Sequence, residues 1–390
     1  MINTSSLTNT LLKSLKEVCG DQEKVYLHEP YISGLEENYV NDCLKSTFVS
    51  SVGKYVDKLE QDVAAYTGTA RAVAVINGTA ALQISLLLSG IRDNDEVIIP
   101  SLTFAGTANA VCHAGGIPHF VDVEQDSFGI CPQALESYLN RICKIKDGDC
   151  VNNFTGRKIA AIVPVHVFGH PCKIEQILEV ANKYKLLVVE DAAESLGSSY
   201  KGQHTGTFGK LGNISFNGNK IITTGGGGMI ITNDESLANQ AKHLTTTAKV
   251  PHKWEFFHDQ VGFNYRMPNL NAALGCAQLE RLPELLDLKR KLFHIYYENL
   301  SQINGISLVQ EPPNCSSNYW LQTILLNKPN LDLRNEILSV LNEAGFMSRP
   351  AWKGLHKLDH FKDNPRMDME ITESLEKRII NIPSSSFLSA

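Results

Sequence analysis

The chain has 390 residues, 36 of them basic and 42 acidic for a formal net charge of −6, and 43% of its residues are hydrophobic. One hydrophobic core stops growing at roughly 250–300 residues, so two domains are expected, at 30–267 and 268–390, with residues 1–29 packing against the second. A charged fraction of 20% and apolar residues spread along the chain exclude a disordered or coiled-coil protein, and the acidic balance argues against a nucleic-acid partner.

Two stretches without Asp, Glu, Lys or Arg, 72–91 and 97–121, invite a membrane reading. Asn77-Gly78-Thr79 interrupts the first, and Pro100, Pro118 and glycines interrupt the second, so neither is a continuous apolar span of about 20 residues. No basic stretch followed by an apolar run marks a secretory signal, and a cytoplasmic location is expected. The nine cysteines contain no Cys-x-x-Cys pair, which predicts reduced thiols and no metal site.

In chain order, 53–66 predicts a helix with Val56, Leu59, Val63 and Ala64 on one face. A short apolar strand at 72–76 and a helix at 79–91 follow. Further strands are predicted at 96–99, 119–123, 159–165 and 186–189, with helices at 133–142 and 174–184 between them, and 229–232 is another strand. Strands alternating with helices of this length predict an α/β fold, with a largely parallel sheet covered on both faces. Beyond Pro268 one long helix is predicted over 270–300, then strands near 306–309 and 319–326 and a helix at 331–344. This is the pattern of a smaller α+β domain.

Ligands of such sheets bind beyond the carboxyl ends of the strands, so the residues after each apolar run are the candidates. The run Leu187-Val188-Val189 leads into Glu190-Asp191 and then Glu194; alone, Asp191 reads equally as a helix-capping acid. Ser215 and Asn217 precede Lys220, which sits among small residues and glycines, and alone reads as a loop lysine. Gly225–Gly228 precede a strand rather than a helix, which excludes a dinucleotide fingerprint and points to a close backbone approach. Asn77-Gly78-Thr79 is a strand-to-helix turn, whose free N–H groups suit an anion. Phe104 follows the strand at 96–99 and is a candidate stacking ring. A phosphate cradle, an aromatic plate, a carboxylate and a lysine together are what pyridoxal phosphate requires.

Gly53-Lys54-Tyr55-Val56, Asn77–Leu82, Glu190–Glu194, Ser215–Lys220 and Gly262-Phe263-Asn264-Tyr265-Arg266-Met267-Pro268-Asn269 resemble the DegT–DnrJ family of nucleotide-sugar aminotransferases, from about residue 29 to 361. The resemblance implies fold type I, the aspartate aminotransferase fold, and a homodimer with shared active sites. It implies that Lys220 forms the Schiff base and moves the proton, that Asp191 pairs with the pyridine nitrogen, and that Phe104 stacks on the ring. Gly78, Thr79 and Ser215 would hold the phosphate, Asn264 would reach the phosphate of the neighbouring subunit, and Glu194 would lie near the phenolic oxygen. Ser51, Asn217 and Arg349 are the expected substrate contacts. Glu29-Pro30-Tyr31-Ile32 and Thr47–Lys54 resemble the legionaminic acid and bacillosamine branch, which implies transfer from glutamate to C4 of a UDP-linked 2-acetamido-2,6-dideoxy-hexos-4-ulose. The alternatives are the same reaction on GDP-4-keto-6-deoxymannose, giving perosamine, and a non-catalytic cofactor-binding regulator. Related dehydratases carry His in place of the lysine, and Lys220 argues against that chemistry.

Overall fold

A computed structural model describes residues 4–20 and 22–390. Its main sheet contains β1 (Arg71–Val75), β2 (Glu96–Pro100), β3 (Ile117–Val121), β4 (Lys158–Ile162), β5 (Leu187–Asp191), β6 (Leu211–Ser215) and β7 (Gly228–Thr232), in the order β1-β7-β6-β5-β4-β2-β3. Strand β7 runs antiparallel to both its neighbours, and the other pairings are parallel. This is the largely parallel α/β sheet expected from the alternation of strands and helices.

Strand alternation divides the apolar side chains between two helical layers. Val73, Val75, Val97, Ile99 and Ile230 pack under the helices Gly78–Leu88, Ala105–His113 and Glu235–Thr245. On the other face, Ala72, Ala74, Met229 and Ile231 meet Lys54–Thr67 and Asn269–Glu280. Ile98, Ile162 and Val188 meet Pro132–Ile142 and Ile174–Tyr184 on that same side. The two uncharged stretches are therefore sheet and covering helix. Among the described residues no helix is long and apolar enough to cross a membrane.

A hairpin, Cys143–Lys146 with Asp149–Asn152, adds to β4. It was not expected, although its turn is written in Asp147-Gly148, both at positive φ (53° and 89°) as a two-residue hairpin requires.

A second, antiparallel sheet has the order β8-β9-β11-β10, from β8 (Ile306–Leu308), β9 (Gln322–Leu326), β10 (Arg349–Pro350) and β11 (Ile379–Ile382). Leu11 and Leu15 of the helix Thr4–Cys19 share its core with Leu292, Tyr296, Ile324, Ile337 and Ile380. The single long helix expected over 270–300 is in fact two, Asn269–Glu280 and Leu282–Leu300, meeting at Arg281. Pro283 explains the break: it has no N–H to donate, and its ring collides with the carbonyl four residues earlier.

Candidate active site

The carboxyl ends of β1, β5 and β6 open into one cavity of about 380 Å³. At the end of β1, Asn77 caps the helix Gly78–Leu88, its Oδ1 accepting the Ala80 N–H at 2.8 Å. Gly78 and Thr79 then occupy the first turn, whose N–H groups have no intrahelical acceptor. A Cβ on Gly78 would lie 3.0 Å from the Cβ of Ser215, a tight contact that glycine relieves where this turn meets the end of β6. A Cβ on Gly228 would come within 2.4 Å of the Asn77 carbonyl carbon. The last of the four consecutive glycines thus makes the close backbone approach that the sequence suggested.

Phe104 is 58% exposed although its neighbours Leu102 and Thr103 are buried, and its ring forms one wall of the cavity. Gly106 makes room for it. A Cβ there would fall 2.9 Å from both Phe104 Cδ1 and Thr79 Oγ1.

Alternation along β5 sends its two terminal acids to different surroundings. Glu190 is fully buried and accepts the Gly206, Phe208 and Gly209 N–H groups at 2.8, 2.7 and 2.7 Å, while His166 Nε2 lies 3.0 Å away. These bonds hold the chain between β5 and β6 in place. Asp191 lines the cavity; its Oδ2 accepts the Thr107 hydroxyl at 2.8 Å and its Oδ1 the Ala193 N–H at 3.2 Å. Burial pushes the Asp191 carboxyl above its ordinary value, against the pull of Thr107, Ala193, Lys220 and His166.

Lys220 lies in the loop after β6 with its side chain 12% exposed. Its Nζ is 3.4 Å from Glu194 Oε1 and 3.7 Å from the centroid of the Trp320 ring. Glu194 Oε2 accepts the Phe168 N–H at 2.8 Å, from a turn in which Phe168 is left-handed (φ 56°). Burial raises the Glu194 carboxyl too, partly offset by Lys220.

The cavity therefore joins Gly78, Thr79, Phe104, Asp191, Glu194, Ser215, Asn217 and Lys220. Three other candidates lie elsewhere in the chain. Ser51 lines a separate groove with Lys242 and Arg266. Asn264 is exposed and bridges to Thr246. Arg349 is exposed, and its Nη1 donates to Asn342 Oδ1 at 3.0 Å and to the Ser348 carbonyl at 2.9 Å. From the Arg349 stretch it is Trp352 that reaches the cavity, stacked on Phe168 at 5.1 Å. Gly106, Thr107, Trp320 and Trp352 were missed. Thr107 had a faint signal, a hydroxyl inside an Ala-rich helix; Trp320 had none.

These residues fit pyridoxal phosphate. Free amides and the Thr79 and Ser215 hydroxyls suit the phosphate, and the otherwise unexplained exposed Phe104 suits a planar ring. A carboxylate held by a hydroxyl and an amide suits the ring nitrogen, and a confined amine suits the aldehyde.

Comparison with known proteins agrees. The model of the DegT/DnrJ/EryC1/StrS aminotransferase family matches residues 30–390. A GDP-perosamine synthase of Escherichia coli O157:H7 is 36% identical over 365 residues, 93% of this chain and 94% of that protein. A GDP-perosamine synthase of Caulobacter vibrioides is 35% identical, covering 94% and 95% of the two chains. The aminotransferase TlmJ from Streptoalloteichus hindustanus superposes with a TM-score of 0.82 at 25% identity, over 92% of this chain and 93% of that one. The two synthases carry the name of the GDP-sugar alternative, not of the UDP-sugar branch to which the segments at 29–32 and 47–54 pointed.

Proposed function

The chain belongs to the DegT/DnrJ/EryC1/StrS aminotransferase family, whose members use pyridoxal phosphate, and from that premise we propose that it moves an amino group from glutamate to C4 of a nucleotide-linked 4-keto-6-deoxy sugar. The observation that carries this reading is one cavity holding Lys220 Nζ beside Glu194, and Asp191 braced by Thr107. The names of the two perosamine synthases support GDP-4-keto-6-deoxymannose as the acceptor, ahead of the UDP-linked sugar.

When bound, pyridoxal phosphate supplies an aldehyde that carries the amine and a ring that takes up the electron pair left when a C–H bond is broken. The protein's part is to orient and to move protons. Gly78, Thr79 and Ser215 anchor the phosphate, and Phe104 keeps the ring plane fixed. Asp191, held by the Thr107 hydroxyl and the Ala193 N–H, would keep a proton on the ring nitrogen. Lys220 would hold the aldehyde at rest, and its Nζ, when free, would serve as the group that accepts and returns the proton. Glu194, 3.4 Å from Lys220 Nζ, pairs with that amine and would lie toward the phenolic oxygen.

The working form is a homodimer in which Ser51 and Asn264 serve the partner's cavity. Its support is a face where Phe48, Val49 and Val52 stand 58%, 41% and 62% exposed, close in sequence to Ser51. The buried Arg266 Nε, near Asn264, finds no acceptor among the described residues.

The test supplies glutamate with GDP- and UDP-linked 4-keto-6-deoxy sugars separately and follows product mass. The GDP sugar is expected to gain the amine at least about tenfold faster, the low end of the discrimination that a difference in pocket fit supplies. Amination of the UDP sugar alone would overturn the GDP assignment, and inertness toward both would overturn the sugar reading.

A further inference from the structure

Trp320 enters the cavity from the smaller sheet, just ahead of β9, and is 5% exposed. The indole is held from several directions. Its Nε1–H donates to the Asn219 carbonyl at 2.6 Å, and its backbone N–H donates to Asn318 Oδ1 at 2.8 Å. Asn318 Nδ2 in turn donates to the carbonyls of Glu194 and Leu196, each at 2.9 Å. The Trp320 carbonyl accepts from the fully buried Lys289 at 2.9 Å. The ring is thus tied both to the loop that carries Lys220 and to the segment that carries Glu194.

The face of this fixed ring is what Lys220 meets, 3.7 Å from Nζ to centroid, with Glu194 Oε1 at 3.4 Å. A largely desolvated ammonium over an indole face lies at the strong end of cation–π attraction. An aliphatic wall would exclude water equally well but would leave the four-carbon lysine stem free to rotate. We propose that Trp320 is a positioning residue for Lys220: its indole face and the Glu194 carboxylate form a seat that holds the ammonium at the cavity whenever the amine is not covalently engaged. The inference rests on Lys220 being the reactive amine. It adds that the smaller sheet, through Trp320, sets where that amine waits.

The test compares Trp320→Leu, which removes the aromatic face, with Trp320→Phe, which keeps a face and loses the N–H. The full-length chain freed of cofactor is trace-labelled with acetic anhydride, and Lys220 acylation is measured by peptide mass spectrometry against the exposed Lys13. Acylation is expected to rise about five- to tenfold in Trp320→Leu, the factor a desolvated cation–π contact supplies, and about twofold or less in Trp320→Phe. In the holoenzyme kcat should fall about tenfold in Trp320→Leu with KM nearly unchanged, and Trp320→Phe should recover most of it. Should Trp320→Leu fail to fold, Trp320→Met, longer and more adaptable to an irregular gap, also lacks an aromatic face and should behave as predicted for Leu. Unchanged labelling in the Leu or Met variant would overturn the seat. Equal loss in Phe and Leu would also overturn it, by assigning the effect to the bond with Asn219. A rise in KM at constant kcat would make Trp320 a substrate wall instead. A labelling contrast that persists where Lys220 fails to capture the cofactor would uphold the seat and overturn the assigned chemistry.

Discussion

Lys220→Ala is expected to abolish amine transfer, with kcat falling about 10⁴-fold or more, because the substitution removes both the tether for the aldehyde and the group that moves the proton. Few side chains could substitute. Among the described residues Lys220 is the sole amine lining the cavity, and Glu194 beside it has no nitrogen with which to hold an aldehyde. The fold should hardly notice. Lys220 contributes one contact of 3.4 Å to Glu194 and one aromatic face to Trp320, and Glu194 keeps its bond from the Phe168 N–H. Without the ammonium, a buried carboxyl already pushed up takes a proton rather than standing charged and alone. The expected pair of results is therefore lost turnover with a thermal midpoint within a few degrees of wild type. Steady-state assay and thermal unfolding check both, and retention of a tenth of the wild-type rate would remove Lys220 from its assigned role.

Asp191→Asn separates catalysis from stability in sign. The amide has the shape of the carboxylate and can still accept the Thr107 hydroxyl. It cannot pair as an ion with a protonated ring nitrogen, so kcat is expected to fall about 10²- to 10³-fold, as when a single aimed electrostatic partner is removed. Cofactor-free stability should move the other way. Burial raises the Asp191 carboxyl above its ordinary value, so the folded chain holds that proton more tightly than the unfolded chain does. Above the raised value the folded protein carries the full desolvation cost of the charge; as pH falls toward the ordinary carboxylate range, that cost disappears. Asn never carries it. The variant should therefore match or exceed wild type in denaturant midpoint at high pH, and the difference should close on acidification. A variant both active and less stable would contradict this account of Asp191.

Most of the sheet and half of the candidate cavity's lining are legible in the sequence, for a physical reason. In a parallel sheet every strand ends on the same edge, so Asp191, Ser215, Gly78 and Phe104, each just after or ending an apolar run, converge without any long-range knowledge. Lys220, in the loop after β6, followed from the same rule. Thr107 and Gly106 lie inside a helix that follows a strand end, where their roles depend on what the helix faces rather than on its pattern. Trp320 and Trp352 come from the smaller sheet, and their arrival is decided by packing between distant parts of the chain. Ser51 and Asn264 do not meet the cavity of their own chain, so sequence spacing could place them near the site only by resemblance. Arg349 was drawn from the right stretch, yet strand β10 holds it to Asn342 while Trp352 continues inward. Two misses were avoidable. Pro283 marks the break between Asn269–Glu280 and Leu282–Leu300, and Asp147-Gly148 marks the hairpin turn.

Whether Lys220 is the amine that holds pyridoxal phosphate is decided by borohydride reduction of the loaded protein. Reduction makes the link between amine and cofactor permanent, and peptide mass spectrometry then locates it. A pyridoxyl group is expected on the peptide bearing Lys220 and none in Lys220→Ala, with loss of the visible absorbance on reduction. A pyridoxyl group on any other lysine, or no capture after incubation with the cofactor, would contradict that role.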